Sequence, residues 1–174
     1  LDTTNWVKLS FTKSDQTSWT FISSGPVSLN AFSGKNNVRF AFRYVSSTAG
    51  AATWEIKHVL VNGVNTQGGG QPGGETGVNV VVLAERFDKA IAGTPASPNA
   101  TDIALQLDLY TQLPGWTGSK AYQAGGMLKF GTSSAMGSLS TPALDLSADS
   151  GHFEVSFKSM AWSGDSTGIN LLLN

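Results

Sequence analysis

The chain has 174 residues, and its 11 Lys and Arg nearly balance its 12 Asp and Glu. This length suits one domain with a buried core, and the balance argues against the basic surface that binding of nucleic acid or of an anionic membrane requires. Cysteine is absent, which excludes disulfides, thiolate metal sites and cysteine nucleophiles. The longest apolar runs fall far short of the ~20 residues of a membrane-spanning helix.

Strand patterning runs along the whole chain, and helical patterning is almost absent. In residues 38–45, for example, apolar side chains alternate with Arg39 and Arg43. The pattern predicts an all-β fold, namely a β-sandwich of jelly-roll-like type. The predicted strands are 6–11, 18–22, 38–45, 53–61, 78–87, 127–130, 138–146, 153–161 and 169–173, and residues 103–110 form either a short strand or a helical turn.

A glycine-rich segment, TQGGGQPGGETG, occupies residues 66–77 and contains no large apolar side chain. It cannot contribute to a core, so it predicts a solvated loop or linker between the strand-rich segments 1–65 and 78–174. It is not a phosphate-binding loop, because neither Gly-Lys-Ser/Thr nor a predicted helix follows it.

Two groups of motifs resemble one known family. The first comprises AFRY at 41–44 and WEIKHV at 54–59, and the second comprises ERF at 85–87, PGW at 114–116 and STPALDL at 140–146. The first group resembles the closing half, and the second the opening half, of the cleaved-adhesin and choice-of-anchor-J type jelly rolls of Bacteroidetes surface proteins. The resemblance covers roughly two thirds of the chain.

The order of the two halves is reversed relative to that family, which leaves three explanations. The domain is circularly permuted, with residues 66–77 joining the original termini, which usually lie close together. Alternatively, the chain holds parts of two tandem domains, or two chains exchange halves. A lone half would expose an apolar sheet face and an open edge. We therefore expect residues 1–174 to form a single sandwich, as a monomer or as a half-swapped dimer.

The resemblance also implies a structural Ca²⁺, because related jelly rolls hold one beside their first and last strands. Glu55 in the closing strand and Glu85 in the opening strand would supply carboxylates, with Asp88 nearby. This chain departs from the family at Glu55, which lies between Trp54 and Ile56 where two adjacent acids are frequent. The alternative interpretation is that these acids are simply exposed.

Aromatic residues at turns are the best indication of a ligand. Sugars stack on aromatic rings while polar groups fix their hydroxyls. Trp116, Tyr122, Trp162 and Asp165 are therefore the predicted ligand-binding residues, and the alternative is that the tryptophans fold onto the edge of the core. The tryptophans within alternating strands are predicted to belong to the core: Trp6, Trp19 and Trp54.

Catalytic motifs are missing from the sequence. The two histidines, His58 and His152, accompany neither a Gly-X-Ser-X-Gly elbow nor a His-Glu-X-X-His motif. A structural role is therefore expected for both. A glycosidase would need two carboxylates that face each other across a cleft, and sequence alone does not pair any two acids.

The sequence therefore predicts a non-catalytic module for adhesion or carbohydrate binding from a secreted or surface-anchored bacterial protein, whose signal or anchor has been removed. Its expected partner is a glycan or a protein of a host or cell surface, and neither nucleic acid nor direct membrane insertion is expected. The alternative is a structural or accessory module of a larger extracellular hydrolase. A third hypothesis is a glycosidase built on the same sandwich.

Overall fold

Antiparallel strands make up almost all of the regular structure. The computed structural model describes residues 4–14, 19–45, 53–64, 79–147, 152–162 and 168–174. Short 3₁₀ helices occupy Asn30–Phe32 and Leu107–Leu109, and no helix in these ranges is long and apolar enough to cross a bilayer. The strands are β1 (Val7–Leu9), β2 (Ile22–Ser23), β3 (Val27–Ser28), β4 (Phe40–Tyr44), β5 (Trp54–Val64), β6 (Asn79–Glu85), β7 (Gly93–Thr94), β8 (Ser97–Pro98), β9 (Thr117–Ser119), β10 (Ala121–Gln123), β11 (Leu128–Phe130), β12 (Ser138–Ser140), β13 (His152–Ala161) and β14 (Ile169–Leu173).

The strands form two main sheets that pack as a β-sandwich, which confirms the predicted fold class. Sheet A has the order β1-β14-β4-β12-β9. Sheet B has the order β10-β11-β5-β13-β2, with β3 also paired to β13 and β6 also paired to β5. Strands β7 and β8 form a separate two-stranded pair.

Both sheets combine strands from the two strand-rich segments of the sequence. In sheet A, β4 lies between β12 and β14, and in sheet B, β5 lies between β11 and β13. Strands β5 and β6 pair in antiparallel register, with Val64 opposite Asn79. The chain between them therefore joins adjacent strand ends, as a permutation linker would. Residues 66–77 themselves lie outside the described residues, and the permutation stays a prediction.

The core lies between the sheets and is rich in aromatic rings. From sheet A, Phe40, Phe42 and Tyr44 point inward, as the alternation with Arg43 predicts. Phe157 of β13 meets Phe42 edge to face, with ring centroids 4.7 Å apart. Truncation of a buried Phe typically costs about 3–5 kcal/mol, so this cross-sheet contact is a main source of cohesion.

A β-bulge in β5 shapes the outer side of sheet B, the side that faces away from sheet A. Lys57 pairs with Lys158 and Leu60 pairs with Ser156, so His58 and Val59 together oppose one residue of β13. His58 has φ 53°, in the left-handed region that non-glycine residues rarely adopt. The extra residue keeps His58 exposed beside Lys57 and turns Val59 into the core.

Candidate ligand-binding face

The bulge separates two carboxylates that were predicted to share a calcium ion. Glu85 pairs with Val59, which is four residues from Glu55, or about 12 Å along the strand. Val59 and Glu85 face the core, whereas Glu55 shares the outer face of sheet B with Lys57. Glu55 and Glu85 are therefore not brought together. Within the described ranges, no group of three or more His, Asp or Glu side chains could hold a metal ion.

Glu85 has a structural task at the end of β6. It is 1% exposed, and its Oε1 accepts the Phe87 N–H at 2.8 Å. Its Oε2 accepts the N–H groups of Gln112 at 2.7 Å and of Leu113 at 3.4 Å. Burial raises the pKa of Glu85, and the backbone hydrogen bonds oppose this rise. The carboxylate thus ties Gln112 and Leu113 to the strand end.

The same connection brings Trp116 into the core. Its ring meets Phe87 edge to face, with centroids 5.2 Å apart, and only 4% of Trp116 is exposed. The Glu85-Arg86-Phe87 and Pro114-Gly115-Trp116 motifs therefore form one structural unit. The expectation that this turn presents an aromatic ring to solvent is corrected: in this position Trp116 offers no open face for stacking.

Two other predicted ligand residues have different surroundings. Tyr122 is buried, and Lys129 Nζ lies 4.6 Å from the centre of its ring. The ring face of Tyr122 is thus occupied by a cation of its own sheet. Asp165 lies outside the described residues. Trp116, Tyr122 and Trp162 do not form one exposed aromatic patch.

Trp162 instead pairs with Trp19. Their ring centroids lie 4.8 Å apart at an interplanar angle of 75°. Trp162 is half-buried, whereas Trp19 is 44% exposed. The prediction that Trp19 belongs to the core is therefore wrong, although it is confirmed for Trp54. The pair forms a partly exposed aromatic platform where β13 ends, and Trp19 is its more exposed member.

Next to this platform, Glu55 lies on the outer face of sheet B but is buried. Glu55 is 2% exposed, and neither carboxylate oxygen has a hydrogen-bond partner. It lies between Lys129 of β11 and Met160 of β13. Burial raises the pKa of Glu55 to about 8, against the opposing charges of Lys129 and Lys57. The carboxyl group is accordingly protonated at neutral pH.

Two lysines face each other beyond Glu55. Lys57 and Lys158 are direct cross-strand neighbours on the outer face, an arrangement that repulsion disfavours. Lys57 Nζ lies 4.0 Å from the centre of the Phe21 ring. This cation–π contact holds Lys57 on one side and leaves Lys158 directed to solvent.

A cleft of about 530 Å³ opens over the bulge. Burial and the charges of Lys57 and Lys158, with a smaller contribution from Arg86, lower the pKa of His58, while Asp88 opposes them. His58 is therefore mainly neutral at pH 7 and offers both a donor and an acceptor. The polar residues that line the cleft are Ser23, His58, Glu85, Arg86, Asp88, Ser156 and Lys158.

The sequence carries no local signal for this face, for two reasons. Trp19 stands in an apparently alternating segment, and nothing local marks it as exposed. The bulge at His58 contains neither glycine nor asparagine, the usual residues of left-handed positions. Comparisons with protein-family models, curated proteins and solved structures found no match. The function proposed below therefore rests on the chemistry of the face itself.

Proposed function

We propose that this protein is a non-catalytic, extracellular carbohydrate-binding module that binds its ligand on the outer side of sheet B, from the Trp19–Trp162 pair to the polar cleft and across the part where Glu55 and Met160 are buried. The observation that supports this most directly is that the exposed Trp19–Trp162 pair and the polar cleft share that face. Surface or secreted localisation is part of the same proposal, through the resemblance to Bacteroidetes adhesin jelly rolls. The ligand would be a glycan on a host or cell surface.

The dimensions of the face suit an extended oligosaccharide. Trp162 and Lys158 are four residues apart on β13, which corresponds to about 13 Å along the strand. At one end, an exposed indole ring can stack on the apolar face of a sugar. At the other, Ser23, His58 and Ser156 supply hydrogen-bonding groups for hydroxyls. A few polar groups beside an aromatic surface are typical of small-molecule sites.

A binding role is favoured over hydrolysis by the positions of the carboxylates. A glycosidase needs two carboxyl groups that flank one bond, about 5–10 Å apart. Glu85 is occupied by three backbone N–H groups, and Glu55 is buried about 12 Å away along β5. Asp88 is the exposed carboxylate of the cleft. Release of reducing ends from an oligosaccharide, abolished by Asp88→Asn, would contradict the non-catalytic assignment.

A glycan array followed by calorimetry tests the proposal. Trp19→Ala should weaken binding of the best glycan about five- to tenfold, because one exposed stacking partner is lost. Trp6→Ala is the matched control, since Trp6 precedes β1 of the other sheet and should leave the affinity unchanged. Circular dichroism checks that each variant is folded. Absence of any glycan hit for the folded protein, or equal affinities of wild type and Trp19→Ala, would defeat the proposal.

A further inference from the structure

We propose that the glycan is acidic, and that its carboxylate or sulfate group binds in the cleft between Arg86 and Lys158. This inference rests on the proposed carbohydrate-binding function and specifies its ligand class. It concerns the end of the face that lies away from the tryptophan pair.

The charge around the cleft differs from that of the whole chain. The protein carries a formal net charge of −1. Around His58, however, three cations act, namely Lys57, Lys158 and Arg86, against the carboxylate of Asp88. The other acid that lines the cleft, Glu85, is 1% exposed, and its carboxylate accepts three backbone N–H groups. A concave site with an excess of one charge sign concentrates ligands of the opposite sign.

Two of these cations have no partner of their own. Within the described residues, the side chains of Arg86 and Lys158 make no ion pair or hydrogen bond, although both line the cleft. Other lysines of sheet B and its loops are engaged: Lys57 with Phe21, Lys129 with Tyr122, Lys120 with Asp102 at 3.4 Å, and Lys89 with the Thr111 carbonyl at 2.7 Å. Among the described basic side chains of sheet B and its loops, the two without a partner thus both line the cleft.

The backbone around the cleft holds both cations in place. Arg86 follows Glu85, whose carboxylate fixes the strand end through three N–H groups. The Arg86 N–H itself donates to Gln112 Oε1 at 3.0 Å. Lys158 lies within β13, paired on one side with Lys57 and on the other with Ser23. An anion would therefore meet two cations on well-anchored backbone.

The remaining lining groups favour an acidic sugar over a polyanion. The guanidinium of Arg86 can bind a carboxylate or a sulfate through two parallel hydrogen bonds. Asp88 would repel a second negative charge nearby but would accept hydrogen bonds from sugar hydroxyls. Ser23 and Ser156 add hydroxyl groups to the same cleft. A sugar that carries one acidic group and several hydroxyls would therefore match the groups that line the cleft.

Calorimetry with three matched oligosaccharides tests the inference. The first probe is a trisaccharide that ends in glucuronic acid, and the second is its uncharged methyl ester. The third is the same trisaccharide with a 6-sulfate ester in place of the carboxylate. We expect the wild-type protein to bind at least one acidic form about tenfold or more tightly than the methyl ester. Comparison of the two acidic forms shows whether carboxylate or sulfate is preferred.

Charge-removing variants locate the acidic group. Arg86→Gln and Lys158→Gln should each weaken binding of the acidic form about tenfold and leave the methyl ester unaffected. Lys8→Gln removes the same charge from an exposed position on β1 of sheet A and should change neither affinity. Equal binding of acid and ester, or insensitivity to both cleft variants, would overturn the inference.

The two proposals fail in different ways. If the methyl ester binds as well as the acids and Trp19→Ala weakens both, the glycan site stands and the acidic specificity is refuted. If no saccharide binds to the folded protein, the proposed function fails and the inference fails with it. If inorganic sulfate binds as tightly as the sulfated trisaccharide, the cleft is an ion site, and the acidic-glycan inference is refuted.

Discussion

Glu55 in β5 and Glu85 in the neighbouring strand β6 are both almost fully buried, yet they differ in their hydrogen-bond partners. Glu85 accepts three backbone N–H groups and fixes the connection that leads to Trp116. Glu55 has no hydrogen-bond partner for either oxygen. The residue type alone therefore did not determine the role. The hydrogen-bond partners available on each side of the sheet determined the role of each glutamate.

The bulge at His58 produces this difference. In a regular strand, Glu55 and Val59 would point to the same side, because side chains alternate with a period of two residues. The additional residue at His58–Val59 reverses the alternation. Val59 and its partner Glu85 consequently face the core, and Glu55 stays on the outer face with the binding residues.

The largest expected effect comes from removal of the Glu85 carboxylate. Glu85→Ala should lower the free energy of unfolding by about 3–5 kcal/mol, because the N–H groups of Phe87, Gln112 and Leu113 lose their acceptor. Urea denaturation measures this loss. Glu154→Ala, at an exposed position of β13, is the control and should cost less than about 0.5 kcal/mol. A loss below about 1 kcal/mol for Glu85→Ala would show that the connection 111–113 does not depend on this carboxylate.

The second effect concerns the protonation of Glu55. Its pKa rises from an ordinary 4.5 to about 8 on folding, so the folded state retains a proton that the unfolded state has lost. Stability should therefore fall as the pH rises from about 4.5 to about 8. Between pH 6 and pH 9, we expect the wild type to lose about 3 kcal/mol relative to Glu55→Gln.

Parallel denaturation series of the two proteins measure this difference. Glu55→Gln keeps the shape of the side chain and cannot ionise, so it removes only the contribution of this group. His58 and Glu85 also titrate abnormally, and their contributions cancel in the comparison. Stability curves that run parallel from pH 6 to pH 9 would refute a neutral, buried Glu55.

The smallest effect tests the bulge itself. His58→Gly should raise the free energy of unfolding by up to about 1 kcal/mol, because glycine adopts a positive φ without the strain that histidine bears. Lys57→Gly, at the neighbouring position with ordinary strand geometry, should lower it by about 0.5–1 kcal/mol. Thermal unfolding distinguishes the two signs. Equal destabilisation by both substitutions would contradict a strained left-handed residue at position 58.

The fold class and much of the core could be predicted from the sequence, because they follow from alternation. In β4, the alternation with Arg39 and Arg43 predicts the inward side of Phe40, Phe42 and Tyr44, and no bulge interrupts the strand there. The site could not be predicted in the same way. The burial of Trp116 depends on hydrogen bonds between Glu85 and the N–H groups of Gln112 and Leu113, more than 25 positions away. Such long-range contacts leave no local signal.

The central claim is that a glycan binds along the outer face of sheet B. The most direct test is an amide and indole chemical-shift titration by nuclear magnetic resonance with the best glycan from the array. We predict that the largest shifts occur at Trp19, Trp162, Ser23, His58, Arg86 and Lys158, which span the face from the tryptophan pair to the cleft. Shifts confined to sheet A, for instance along β1, β14 and β9, would contradict the claim.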